Sequence, residues 1–239
     1  MRDNATLNIL NRYQDFIDNI EVVADMGCGQ GDDAWWWANL TKEDGTARNI
    51  QVNAVDIKLQ RHALLRHNNI QYIEKDFSYS ELEPNSQDFL WAYNSLQYSI
   101  KPIDTLLHWW EIMKPEAMLL VTVPYNYTVD NHREFLKVNS TYHNGCLFNY
   151  TLSNLIMMLA VTGFDCRNSH FRFDRAEKTI QAAVYKLTTI PNPNMDWYEM
   201  CEKQLLPLCI EQNIMQKGKF DDIDLVVEWI DRTQYMLSI

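Results

Sequence analysis

Short apolar runs alternate with amphipathic stretches along most of this chain, and each run ends in polar or glycine-rich residues. Val22 to Asp25, Gln51 to Asp56, Ile70 to Ile73, Phe89 to Tyr93 and Met118 to Pro124 therefore predict five strands. Between them, apolar residues three or four apart predict helices: residues 1 to 20, the stretch after Gly31, a short helix through Leu59 to Arg66, and Pro102 to Met113. Proline suits the start of the last, because its missing N–H would be unpaired there anyway. Thr151 to Thr162 carries a capping threonine, an apolar stripe of Leu152, Leu155, Ile156 and Leu159, and Gly163 just past its end, which reads as a further helix. Phe164 to Phe173 and Thr179 to Thr188 read as a closing hairpin.

Strands alternating with helices predict an α/β fold, a doubly wound, mostly parallel seven-stranded sheet whose ligands sit beyond the carboxyl ends of the strands. Pro191-Asn192-Pro193-Asn194 breaks the pattern, which divides the chain into a domain over 1–190 and a helical extension over 191–239 packed on it. The extension reads as two helices, Met195 to Lys217, kinked at Pro207, and Asp222 to Tyr235. Tyr125 to Tyr150 has weak periodicity and is dense in Tyr, His and Asn. A connection this long is usually functional or hides a short helix, and Asp130 to Val138 fits one.

Composition narrows the class without naming a function. The 239 residues suffice for one full core plus extensions. No apolar run approaches the ~18 residues of a membrane span, and Met1 to Tyr13 is too polar for a signal peptide, so the expected location is cytoplasmic. The five cysteines include no C-x-x-C pair and are odd in number, which argues against a disulfide framework or a zinc site. A net charge of −11 argues against an extended nucleic-acid surface. The one basic cluster, Lys58 to His67, reads as a solvated helix face. Trp35-Trp36-Trp37 fans over about 200° of a helix and cannot all face one sheet. Two in the core and one under a terminal helix is the plainer arrangement, and a homodimer contact is the sharper one.

The chemistry concentrates where the first strand meets Asp25-Met26-Gly27-Cys28-Gly29-Gln30-Gly31. Glycine lets backbone approach a bound group closely and tolerates positive φ. Dinucleotide folds place G-x-G-x-x-G here, with pyrophosphate on the helix N-terminus. This loop is one residue tighter, and Asp32 and Asp33 open the following helix. Carboxylates there would repel pyrophosphate while serving the helix dipole as caps, so the loop suits a cationic or zwitterionic ligand end. Cys28 between the glycines reads as a small packing residue.

The spacing resembles that of the class I S-adenosylmethionine-dependent methyltransferases. Further matches follow in order: Val55-Asp56-Ile57 ends the second strand, and Glu74-Lys75-Asp76-Phe77 ends the third. The helix, Lys114-Pro115 turn and strand ending in Val123-Pro124 are similar to the ubiquinone/menaquinone-biosynthesis, or type 11, methyltransferase domain. That family usually has two glycines where this chain has Glu116-Ala117, a departure in turn geometry. The resemblance covers about residues 20 to 188. It implies S-adenosylmethionine as cofactor and S-adenosylhomocysteine as product. By the same resemblance Asp25, Gly27, Cys28, Gly29 and Gly31 face the methionine part, Asp56 with Ile57 grips the ribose, and Asp76 with Phe77 flanks the adenine. Asn94 and Ser95, with Tyr98 beyond them, leave the fourth strand between cofactor and acceptor.

For the acceptor the residues speak less directly. Neither Asn/Asp-Pro-Pro-aromatic nor a Pro-Cys nucleophile follows the fourth strand, which removes the two most recognisable nucleic-acid base methylators. Methyl transfer to an oxygen or acidic carbon gains from a general base, for which His132 and His143 are candidates. Tyr98, Tyr125 and Tyr127 would shape the acceptor site, and Arg133 would hold a carboxylate or phosphate. A small-molecule methyltransferase is the leading expectation. A protein or RNA methyltransferase using the C-terminal helices for recognition, and a silent methyltransferase-like assembly subunit, stand beside it.

Overall fold

The computed structural model describes residues 14–59, 64–124, 148, 150–174, 179–190, 192, 194–208 and 210–212. Its centre is one seven-stranded sheet in the order β3-β2-β1-β4-β5-β7-β6. The strands are β1 (Val22–Met26), β2 (Gln51–Asp56), β3 (Ile70–Glu74), β4 (Gln87–Tyr93), β5 (Met113–Pro124), β6 (Phe164–Asp174) and β7 (Thr179–Lys186). Strands β1 to β5 run parallel, and β7 is inserted antiparallel between β5 and β6. The expected doubly wound sheet is present, with the closing hairpin at one edge.

Five helices are described: α1 (Gln14–Ile17), α2 (Asp32–Ala38), α3 (Pro102–Ile112), α4 (Leu152–Val161) and α5 (Trp197–Glu202). Pro102 does open α3, and Thr151 caps α4 by accepting from the Asn154 N–H while Asn154 returns a bond to the Thr151 N–H. Each sheet face buries its own core. Met26, Leu90, Leu119, Val121 and Ile180 pack with α3, α4 and α5, whereas Val23, Phe89, Trp91, Leu120 and Ala183 pack with α1 and α2. The tryptophan triplet divides as the helix geometry requires. Trp37 is fully buried against Phe89 and Trp91, Trp36 is half-buried against Trp37 and Trp91, and Trp35 is 42% exposed.

Several boundaries depart from the sequence reading. Lys114 to Ala117 is a bulge inside β5, where the register jumps from Gln87↔Met113 to Phe89↔Met118, and Glu116 takes φ 62°. Lys114 ties that bulge to Asp88, whose other carboxylate oxygen accepts from the N–H groups of Glu21 and Val22 at the root of β1. The stretch expected as a helix from Leu59 to Arg66 is irregular at residues 64 to 66. In the extension, α5 stops at Glu202 and Gln204 turns left-handed at φ 56°; Pro207 then starts a new turn whose carbonyl accepts from Ile210 and Glu211. The helix breaks before Pro207 because proline is at home in a first turn. Most of residues 1 to 20, the second half of the extension and the helix expected over 130–138 lie outside the described residues.

Candidate functional site

The parallel strands deliver their carboxyl ends to one edge of the sheet, and Asp25, Asp56 and Asp76 each lie at or just past such an end. Asp25, one residue before the end of β1, lies on the α1/α2 face and is 2% exposed. The chain then turns through Gly27 at φ 83° and Gly29 at φ 55°, values costly for any side chain with a Cβ. The N–H groups of Gly27 and Cys28 both donate to the Val55 carbonyl, so the loop is stitched to β2 before it enters α2. A Cβ on Gly27 would lie 2.6 Å from that of Ser95, whereas one on Gly29 would meet nothing. The loop is thus pressed against the exit of β4 on one side and open on the other.

Asp56 completes the loop. One carboxylate oxygen accepts from the Gly29 N–H at 2.9 Å, the other from the Lys58 N–H at 3.1 Å. Both bonds fix the acid's orientation and leave further lone pairs for a ligand. Ile57 beside it is 69% exposed. Asp76 accepts from the Ser78 N–H and caps a short 3₁₀ turn, Phe77–Tyr79, while Phe77 packs against Trp109 of α3.

The exit of β4 is strained and polar. Asn94 sits at φ 53° and donates its N–H to the Thr122 carbonyl, then Ser95 leads into the 3₁₀ turn Leu96–Tyr98. Asn94 Oδ1, Ser95 Oγ and Gln97 Oε1 are buried and have no hydrogen-bond partner among the described residues. Strain and unmet polar atoms are concentrated where a ligand would supply the missing bonds. Gln97 was not among the expected site residues; its Nε2 donates to the Asn94 carbonyl and braces the turn. Tyr72, also not anticipated, presses against Gly31 and donates its hydroxyl to the Leu65 carbonyl; burial first, then the neighbouring Cys28, Asp25 and Asp32, pushes it up to about 12.

Cys28 is buried, and desolvation followed by the charges of Asp25 and Asp56 pushes its thiol far above the ordinary range, in keeping with a packing residue. One expectation changes in detail. The acids opening α2 do not cap it, because Gly31 occupies the N-cap without a side-chain bond. Asp33 instead turns inward to accept from the Trp91 indole N–H at 2.9 Å, and Asp32 stays exposed in the first turn. The helix dipole still favours both carboxylates there. Of the acceptor residues, Tyr98 is half-buried beside the β4 exit. His132, His143, Tyr125, Tyr127 and Arg133 lie outside the described residues. No helix is long and apolar enough to cross a membrane, and no cluster of metal-ligating side chains occurs, among the described residues.

The donor set fits S-adenosylmethionine. Carboxylates at or just past the ends of three strands would answer an ammonium group, a ribose diol and an exocyclic amine, and the buried acceptors at Asn94 and Ser95 would add hydrogen bonds beside them.

Comparison with known proteins agrees. The family model described as a methyltransferase domain, type 11, matches residues 24–121, from within β1 into β5. No curated protein matches the chain in sequence. Among solved structures, a chain of the complex between the Haloferax volcanii Trm112 methyltransferase activator and a methyltransferase superposes with TM-score 0.56 at 13% identity, covering 77% of this chain and 95% of that one. An S-adenosylmethionine-dependent methyltransferase from Archaeoglobus fulgidus gives 0.56 at 13% identity, covering 76% and 93%. The Burkholderia thailandensis 1,6-didemethyltoxoflavin-N1-methyltransferase, bound to 1,6-didemethyltoxoflavin and S-adenosylhomocysteine, gives 0.55 at 14%, covering 77% of each. From the strand order, the glycine loop and the matched family model together, residues 24–121 read as a methyltransferase domain of type 11.

Proposed function

We propose that this protein transfers a methyl group from S-adenosylmethionine to an oxygen, nitrogen or carbon of a small-molecule acceptor. The observation that carries the reading is the Asp56 carboxylate bonded to the Gly29 N–H, which locks a glycine loop and a strand-end acid into one ligand-facing unit. When bound, the cofactor would supply a methyl group on a sulfonium, whose neutral thioether is a leaving group that needs no acid. The protein's own part is alignment and exclusion of water, since in-line displacement gains most from fixing the two partners in place.

In this reading Asp25, Asn94 and Ser95 would hold the methionine end, Asp56 with Ile57 the ribose, and Asp76 with Phe77 the adenine. The fixed Asp56 loses no orientational freedom on binding, which favours affinity. Tyr98 borders the acceptor side, and His132 or His143 would take a proton from an acceptor that must lose one. Tyr125, Tyr127 and Arg133 would contact the acceptor's remaining groups. The domain would extend over 1–190, with 191–239 packed on it.

Calorimetric titration with S-adenosylmethionine tests the reading: binding is expected, and none at millimolar cofactor refutes it. Asp56→Ala is expected to weaken binding about tenfold or more, from loss of hydrogen bonds to a charged group. Equal affinity would refute the site assignment. Incubation of the protein with labelled cofactor and a cell extract should place label in the low-molecular-weight fraction; label only in protein or RNA would replace the acceptor class.

A further inference from the structure

Two strands away from the glycine loop, β5 and β7 hold polar side chains that the core does not use. Thr122, Gln181 and Thr179 are 0%, 1% and 4% exposed. Thr122 Oγ1, Thr179 Oγ1 and both ends of the Gln181 carboxamide have no hydrogen-bond partner among the described residues. Burying an unmet donor and acceptor is unfavourable, and native proteins retain few such groups. The rest of β7 is apolar here, with Ile180, Ala182, Ala183 and Val184 all buried, so a leucine at 181 would serve packing better.

Register gathers these groups into one place. Thr122 lies directly across from Gln181, and Pro124, two residues on, lies across from Thr179, so all three polar side chains share one face. It is the face that carries Leu120 and Ala183 against α1 and α2, at its carboxyl-end lip. Across Thr122 on the other side stands Tyr93, which leads directly into Asn94 and Ser95. At about 4.8 Å per strand, Gln181 stands about 10 Å from Tyr93, the span of a small ring compound. The charged neighbours on β6 are Arg172, across from Gln181, and Asp174, across from Thr179. Their side chains approach to 3.9 Å as an ion pair, so among the described residues the two charges on β6 beside the row are opposite and balanced.

We propose that Thr122, Gln181 and Thr179 recognise the methyl acceptor, and that the acceptor is a neutral molecule presenting an adjacent N–H and C=O, the edge of a lactam or carboxamide. The proposal rests on the small-molecule methyltransferase reading above. A glutamine carboxamide offers one acceptor and two donors in a plane and pairs bidentately with such an edge. The threonine hydroxyls each donate or accept and complete the match from the adjoining strand and from two residues along β7.

The test is calorimetry on the full chain saturated with S-adenosylhomocysteine, using 2-pyridone, benzoate and toluene as probes. Wild type is expected to bind 2-pyridone at least about tenfold more tightly than either of the others, as expected of a site built to hydrogen-bond its ligand. Gln181→Leu is expected to lose about tenfold in 2-pyridone affinity and keep its affinity for S-adenosylhomocysteine. Its ligand-free melting temperature should equal or exceed that of wild type. A variant that melts several degrees lower would show that the carboxamide is structural and overturn the proposal. So would unchanged 2-pyridone affinity, preference for benzoate or toluene, or no 2-pyridone binding by wild type. Failure of wild type to bind S-adenosylhomocysteine is read separately, as failure of the cofactor assignment and of this proposal with it.

Discussion

At the scale of single residues, His108 shows how a titratable group can serve structure beside the turn that Asp76 caps. It lies on α3, and its Nε2 accepts from the Ser80 N–H at 3.0 Å, with the Ser80 hydroxyl at 2.8 Å from the same nitrogen. A ring nitrogen that accepts from a backbone donor cannot carry a proton, so the neutral tautomer protonated at Nδ1 is the one the fold uses. Burial holds its pKa below the ordinary histidine value, with the nearby Glu111 acting in the opposite direction. A depressed folded pKa means that the unfolded chain binds the proton more readily. The contribution of His108 is therefore complete above the unfolded value of about 6.5 and is lost as pH falls below it. Denaturant midpoints measured from pH 7.5 to 5 should decline through this window, and His108→Gln should flatten the decline. A slope unaltered in the variant would assign the effect to other groups.

Among the elements, α2 carries the clearest energetic asymmetry. Three consecutive tryptophans point in three directions: Trp37 into the aromatic cluster of Phe89 and Trp91, Trp36 along its edge, Trp35 outward. Trp37→Ala empties a fully buried site and should cost about 3–5 kcal/mol, whereas Trp35→Ala should stay within about 0.5 kcal/mol in the monomer. Urea titration of both variants checks this. A cost above 2 kcal/mol for Trp35→Ala would mean that its exposed ring is covered by a partner in solution. The helix also shows why spacing alone misplaced its cap: Asp32 and Asp33 look like capping residues, yet the left-handed Gly31 takes the N-cap and the Trp91 indole draws Asp33 inward. A tertiary partner 58 residues away overrode a local preference.

For the whole molecule, what was legible in sequence was what depends on neighbours along the chain. Asp25, Asp56 and Asp76 could be assigned to strand ends because each closes its own apolar run, and sheet order then brings the ends together. The bulge at Lys114 to Ala117, the break at Gln204 and the polar row of Thr122, Gln181 and Thr179 depend on register and on contacts between distant strands, which no local window contains. One signal was there to be read: a glutamine in the middle of the apolar strand Thr179–Lys186. The same long-range assembly makes cofactor binding a matter of global stability. The loop before α2, the end of β2, the turn at Asp76 and the exit of β4 belong to separate segments and would form the proposed site only when the sheet is intact. A ligand bound there binds the folded state alone, and at a concentration a hundred times its dissociation constant it stabilises by about 2.7 kcal/mol. For a chain of this size that corresponds to a rise of about 5–10 °C in melting temperature. S-adenosylhomocysteine should produce this rise in thermal unfolding of the wild type and, at the same concentration, much less of it in Asp56→Ala. The Asp56→Ala protein should also melt lower without ligand, because the Gly29 N–H loses its acceptor. A full ligand-induced rise in that variant would mean that the cofactor is held elsewhere than at the joined ends of β1 and β2.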